Sequence, residues 1–427
     1  MKFVQLLASA AIISLPLYIV RCKSFSWCSS PVPFTLPELL ILATFFVWFF
    51  WRILSVKKDK KPVQRLYKRL TGPLFWPLVL FTLSATLAIF VLTDLRSAAG
   101  IWKAYFIEPA LFYIVILDLS LEKKSIFWII IPLLFSGLWV SFLAIWQALS
   151  GTNDFASYAI AQGRVSSIYT TPNALGLYLG PLVMLALGFL LDLLKNKEIK
   201  SNRSKVFWYL IICILAFIVA IILSKSRGAG VGLISAFAAF ILFAIYPRLS
   251  IFRKNLFRWG VILIVVAYFL VNILVFIKID SFVAAYKPVS QDSIEARFCI
   301  WQATKNMIGD RPITGNGLAA YQKVYPSYAT CYSEAHLFPH NILLNFWSEV
   351  GVLGLLAFLW ICRDWIVILS KNLKNLTAVG LVAALVYLYM HGLVDVPYFK
   401  NDLAAEFWIF LSFVSFFGVG KFKNQDL

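Results

Sequence analysis

Charge is what this chain has least of. Only 14% of its 427 residues are charged, and only 20 are acidic. Soluble domains carry about 25% charged and roughly 45–50% apolar residues. A hydrophobic share of 61% and a mean hydropathy of +0.82 therefore exclude an ordinary soluble domain. Histidine is almost missing, with three in all. The loops assigned below to the cytoplasm hold no zinc-ligand spacing, no phosphate-binding glycine loop and no dinucleotide fingerprint, which argues against ATP-driven or cytosolic cofactor chemistry. The short alternating segments of a transmembrane β-barrel are absent as well.

What remains is apolar sequence in runs of about 20 residues, the length that crosses a bilayer as helix. Twelve such spans are expected, at 3–20, 35–54, 73–93, 99–118, 126–148, 174–194, 206–224, 229–246, 259–278, 343–362, 377–394 and 401–420. The expected fold class is an all-α polytopic membrane protein, one integral membrane domain over 1–427 with a large, partly helical outward loop at 279–342. The first span lacks a charged leader beyond Lys2 and a small-residue cleavage site before Arg21, so it reads as a retained helix.

The net charge of +19 would suggest nucleic acid in a soluble protein; here it follows membrane topology. With the N-terminus inside, 24 Lys and Arg fall on the cytoplasmic side and 12 on the outer side. That two-to-one bias obeys the positive-inside rule and places both termini in the cytoplasm. Cys22, Cys28, Cys299 and Cys331 then face outward, either as two disulfides, one in the first loop and one in the long loop, or as unpaired small apolar residues.

The polar sequence of interest lies almost wholly on the outer side. A connection as long as 279–342 is usually functional or disordered. This one carries a helical run at Ser293–Ala303, a break at Gly315-Asn316-Gly317 and a second helical piece from about 318 to 325. In the first run Arg297, Trp301 and Lys305 share a face, and Ile294, Phe298 and Trp301 form the expected apolar stripe.

Several residues there invite chemistry. Lys225 and Arg227 interrupt two apolar helices in Ser224-Lys225-Ser226-Arg227-Gly228. They either snorkel to lipid headgroups or hold an anion, for which an arginine fork is suited. Arg297 and Arg164 could complete an outward cationic cluster able to hold a diphosphate. His340, fixed by Pro339 and followed by a long apolar helix, is placed to act as a neutral base. His336 competes with it, and His391 with Asp395 forms a second candidate pair on one helical face. Lys103 and Glu108 interrupt the fourth span, as part of a polar pathway or simply neutralising each other.

These pieces, in their order, resemble the O-antigen ligase and polymerase superfamily of bacterial membrane glycosyltransferases. The resemblance rests on Arg164 through Tyr178, Ser224 through Gly228, Arg297-Phe298-Cys299-Ile300-Trp301, Gly315-Asn316-Gly317, His340-Asn341 and Glu349-Val350-Gly351-Val352-Leu353-Gly354. It spans about residues 96 to 415. It implies transfer of a glycan from an undecaprenyl-diphosphate carrier to an acceptor hydroxyl at the periplasmic face of the inner membrane, inverting and without metal or other cofactor. By position, His340 would be the base and Arg227, Arg297 and Arg164 the diphosphate ligands. Asn341, Glu349, Lys225, His336 and Asp395 are supporting candidates. Partners would be the lipid-linked donor, a lipid-linked or glycan acceptor and the bilayer, with no nucleic acid. Lipid A–core is the favoured acceptor, with a second lipid-linked glycan (polymerase) or a protein hydroxyl as alternatives. A secondary transporter is the reading from another class; it would need its essential charges near the bilayer midplane.

Overall fold

Each of the twelve apolar segments coincides with a helix in the computed structural model, and the regular structure of the described residues is helical throughout. The structure describes residues 2–19, 34–56, 60–91, 94–123, 125–152, 162–195, 201–285, 294–329, 331 and 337–418. The helices are α1 (Lys2–Ile13), α2 (Leu36–Val56), α3 (Lys61–Leu70), α4 (Phe75–Ala88), α5 (Leu95–Trp102), α6 (Glu108–Lys123) and α7 (Phe127–Ser150). They continue as α8 (Pro172–Lys195), α9 (Ser201–Ser224), α10 (Arg227–Ile245), α11 (Ile251–Ala285), α12 (Ile294–Asp310), α13 (Tyr321–Val324), α14 (Ile342–Ser370), α15 (Leu376–His391) and α16 (Asn401–Phe417).

Among the described residues, seven helical stretches are long and apolar enough to cross a membrane, or eight if α3 and α4, bent by 71°, count as one span. This is fewer than the twelve expected. Breaks and short helices account for much of the difference. The first span is split into α1 and a 3₁₀ turn at Leu15–Ile19, and α15 is only 16 residues long.

Burial divides the bundle into an inner and an outer layer. Side chains of α16 from Asp402 to Phe417 are all buried, making it the central helix. Along α10, by contrast, Val231, Ile234, Ile241, Leu242 and Ile245 are exposed, as lipid-facing positions should be. α15 packs tightly against α8 and α10. Small residues permit this approach: at Gly188 a Cβ would fall 2.5 Å from the Leu376 carbonyl oxygen.

Several charges inside the bundle are paired, as a low-dielectric surrounding favours. Arg52 of α2 meets Asp118 of α6, and Trp48 Nε1 donates to the same carboxylate at 2.7 Å. Asp192 of α8 caps α15, accepting from the Leu376 and Thr377 amides at 2.9 and 3.1 Å. Lys103 lies in a π-helical turn (Lys103–Ile107) between α5 and α6. Its Nζ is 3.3 Å from Glu38 and 3.5 Å from Glu108. Glu38 also accepts from Asn401 Nδ2 at 2.9 Å, which ties α2 to the start of α16. Of the two readings of Lys103 and Glu108, this network favours mutual neutralisation.

The long loop is helical where the sequence suggested, but its buried face is different. Ala296, Cys299, Ile300, Ala303 and Met307 of α12 are buried, with Tyr321 and Tyr325 packed against Ile300, Ala303 and Met307. Phe298 and Trp301, expected to form the apolar stripe, are only half-buried. Small side chains let α12 sit close, and the large rings are left at its margin. The loop is also shorter than expected, because α11 continues to Ala285.

Cys299 and Cys331 form a disulfide, with Cα atoms 5.9 Å apart. Cys22 and Cys28, the other expected pair, lie outside the described residues. Alkylation before and after reduction, read by mass spectrometry, should label Cys299 and Cys331 only after reduction. Labelling of both without reductant would mean that the bond is absent.

Candidate active site

His340 sits in a left-handed conformation, with φ of 50°, immediately before α14. Asn341 is the helix cap; its Oδ1 accepts from the Leu343 and Leu344 amides at 3.0 and 3.1 Å. The polypeptide after α15 is strapped to this cap. The Ile342 amide donates to the Gly392 carbonyl at 2.8 Å, and Asn341 Nδ2 to the Leu393 carbonyl at 3.2 Å. Those two bonds bring Asp395 beside His340, with Oδ1 3.5 Å from Nδ1. The His340 side chain is 36% exposed and Asp395 13%.

Electrostatics favour an ionised Asp395. Burial alone would raise its carboxyl. The hydrogen bond from His340 and the neighbouring His340, His391 and Lys400 outweigh burial and hold it below the usual carboxylate range. An ionised carboxylate at Nδ1 orients the imidazole and favours a proton on that nitrogen, so the ring's other nitrogen, Nε2, is the one to accept a proton. Trp301 of α12 adds a second brace, donating to the Pro339 carbonyl at 2.9 Å.

Pairing of His391 with Asp395 along one helical face is not what the fold shows. α15 ends at His391, and Asp395 turns toward His340. His391 is buried instead against Tyr387. The Tyr387 hydroxyl donates its one proton to the Gly176 carbonyl at 2.7 Å. His391 Nδ1, 3.1 Å from that hydroxyl, must then be the donor to it, an assignment made from the hydrogen-bond network. His391 Nε2 faces Gly228, where a Cβ would fall 2.9 Å away. His391 thus seats the Ser226-Arg227-Gly228 turn.

The cations gather around this turn. Lys225 has a left-handed backbone, with φ of 50°, and Ser226 caps α10 by accepting from the Ala229 amide at 3.3 Å. Lys225 and Arg227 are exposed. A Cβ on Gly163 would lie 3.2 Å from Lys225 Nζ, so the 162–173 segment packs over the turn. Arg164 braces that segment, donating to the Ser224 carbonyl at 2.9 Å and to Asn173 Oδ1 at 3.2 Å. With two of its donor groups so engaged, Arg164 fits a bracing role better than a ligand role. Arg297, half-buried on α12, lies within electrostatic reach of His391, as does Asp395. One end of the bundle therefore brings together His340, Asp395, His391, Arg227 and Arg297. His336 is outside the described residues.

Residues 211–359 match the family model described as O-antigen ligase. No curated protein matches the chain. The matched stretch contains Ser224 through Gly228, Arg297, Gly315 through Gly317, His340, Asn341 and Glu349. Arg164 and Asp395 lie outside it, so their place at the site rests on tertiary structure alone. The match supports the O-antigen ligase and polymerase superfamily, and with it a membrane glycosyltransferase of the ligase or polymerase type.

Proposed function

We propose that the protein transfers a glycan from an undecaprenyl-diphosphate carrier to a hydroxyl of lipid A–core, at the periplasmic face of the bacterial inner membrane. The observation that carries this reading is the His340–Asp395 pair, held at the same end of the bundle as the cationic Ser226–Gly228 turn and Arg297. A base and a set of forked cations are what displacement of a glycosyl diphosphate requires.

The acceptor oxygen attacks the anomeric carbon as His340 Nε2 removes its proton. The bond from that carbon to the diphosphate oxygen breaks in the same displacement, inverting the centre. Charge then grows on the leaving diphosphate, and Arg227 and Arg297 supply donors aimed at it. Asp395 steadies the imidazolium that forms. In this reading both termini are cytoplasmic and the site faces outward, in keeping with the positive-inside bias.

Reconstitution tests the whole scheme. Purified protein in liposomes would receive a lipid-diphosphate glycan with three competing acceptors: lipid A–core, a second lipid-linked glycan and a hydroxyl-rich protein. Transfer to lipid A–core is expected. Transfer to either of the others would reassign the acceptor, and uptake of a labelled solute without any transfer would replace the enzyme with a transporter.

A further inference from the structure

Glu349 is buried in the first part of α14, two turns into the helix that follows His340. Around it α14 breaks. Gly351 has φ of 78° and ψ of 178°, values no helix contains. The break leaves the Ser348 carbonyl without its usual donor, the Val352 amide, and both must find partners inside an apolar bundle.

The loop between α12 and α13 supplies them. Asn316 N–H donates to the Ser348 carbonyl at 2.6 Å, and Val352 N–H to the Ile313 carbonyl at 3.1 Å. Trp347 Nε1 donates to the Pro312 carbonyl at 2.8 Å. So close an approach depends on missing side chains. A Cβ on Gly315 would lie 2.6 Å from the Trp347 carbonyl oxygen, and one on Gly351 2.3 Å from that of Ile313. The buried Glu349 side chain completes the joint, lying within reach of the backbone amides of Ala319 and Tyr321. Ala319 is left-handed, with φ of 61°, and Tyr321 opens α13, so neither amide has a helical acceptor of its own.

We propose that Glu349 is a positioning residue of the transfer reaction, holding Arg297 in register with His340. The mechanics follow from two ties on α12. Its middle is tied to the residue before His340 by the Trp301–Pro339 hydrogen bond, one turn beyond Arg297. Its far end runs into the 311–320 loop, which Glu349 and the break in α14 hold. α12 is thereby held at its middle and at its far end, and Arg297 rides on the part that precedes the Trp301 tie. Loosening the Glu349 end lets α12 pivot and moves Arg297 away from the diphosphate, while His340 keeps its own ties to Asp395 and the α15 strap.

The inference rests on the transferase reading, and the test separates the two. Glu349→Ala should lower kcat/KM for the lipid-diphosphate donor by up to about 10²-fold, since a small misplacement of a charge-stabilising group has that effect. Acceptor KM should change little. Glu349→Gln keeps an acceptor oxygen and should restore most of the activity. In an Arg297→Ala background, Glu349→Ala should cost less than about threefold more, because its effect runs through Arg297. Losses that multiply in the double variant would overturn the proposal. Spin labels at Asn306 of α12 and Leu356 of α14 give a readout independent of activity. Their distance distribution should broaden in Glu349→Ala and stay narrow in Glu349→Gln; an unchanged distribution in Glu349→Ala counts against the joint. Absence of transfer by the wild-type protein, with a broadened distribution in Glu349→Ala, would discard the transferase reading and leave Glu349 as a fold element only.

Discussion

His340→Ala is expected to lower turnover about 10²–10⁴-fold, the contribution of a placed general base. Donor KM should stay near that of the wild type, because the imidazole meets the acceptor proton and not the diphosphate. The loss must be separated from damage to the fold. His340 is partly exposed, but its φ of 50° is one that alanine adopts less readily than asparagine. His340→Asn therefore serves as the second variant: it suits the left-handed backbone and removes the base. Both variants should lose turnover together in lipid-reconstituted protein. Asp395→Asn should give a smaller loss, since it keeps a neighbour at Nδ1 but removes the charge that steadies the imidazolium. Turnover within a few-fold of wild type in His340→Asn would remove His340 from the base position.

Arg227→Ala and Arg297→Ala should each lower donor kcat/KM by about 10²–10³-fold, as removal of one preorganised donor to developing charge does. The two positions are expected to differ in what a lysine restores. Lysine keeps the charge but not the planar fork, so rescue should be partial at both. It should be poorer at Arg297, which is half-buried on a clamped helix, than at exposed Arg227, where a flexible ammonium can follow the diphosphate. Exposed substitutions away from special features usually change stability by within about 0.5 kcal/mol, so loss of activity in Arg227→Ala should come without loss of folded protein. Donor kinetics unchanged in both alanine variants, measured at saturating acceptor, would exclude these arginines as diphosphate ligands.

Much of the architecture was legible because a bilayer allows so few backbone solutions. An apolar run of span length must be helix, and all twelve runs are. Their lengths were less legible, since Pro16 and the π turn at Lys103 act through local geometry that hydropathy averages away. On α12, the heptad-like positions of Ile294, Phe298 and Trp301 suggested the wrong face. The small residues Ala296, Cys299 and Ala303 govern how closely that helix packs, and a hydrophobic stripe does not reveal it. Glu38, the partner of Lys103, was passed over because it sits 65 positions away at the start of a different span.

For the site, the sequence by itself singled out residue types: a base candidate at His340, arginines at 164, 227 and 297, and a glycine- and serine-rich turn. Those choices are local, because a cation or an imidazole at a helix boundary is unusual in an apolar chain wherever it occurs. Only the tertiary structure decided which of them meet. Asp395 turns from His391 to His340 because the chain after α15 is hydrogen-bonded to the cap of α14. Arg164 braces the 162–173 segment because Ser224 and Asn173 accept two of its donors. Glu349 becomes a joint because α14 breaks at Gly351. Each depends on a contact between distant segments, where the need to satisfy every buried polar group leaves one arrangement that periodicity and composition do not encode.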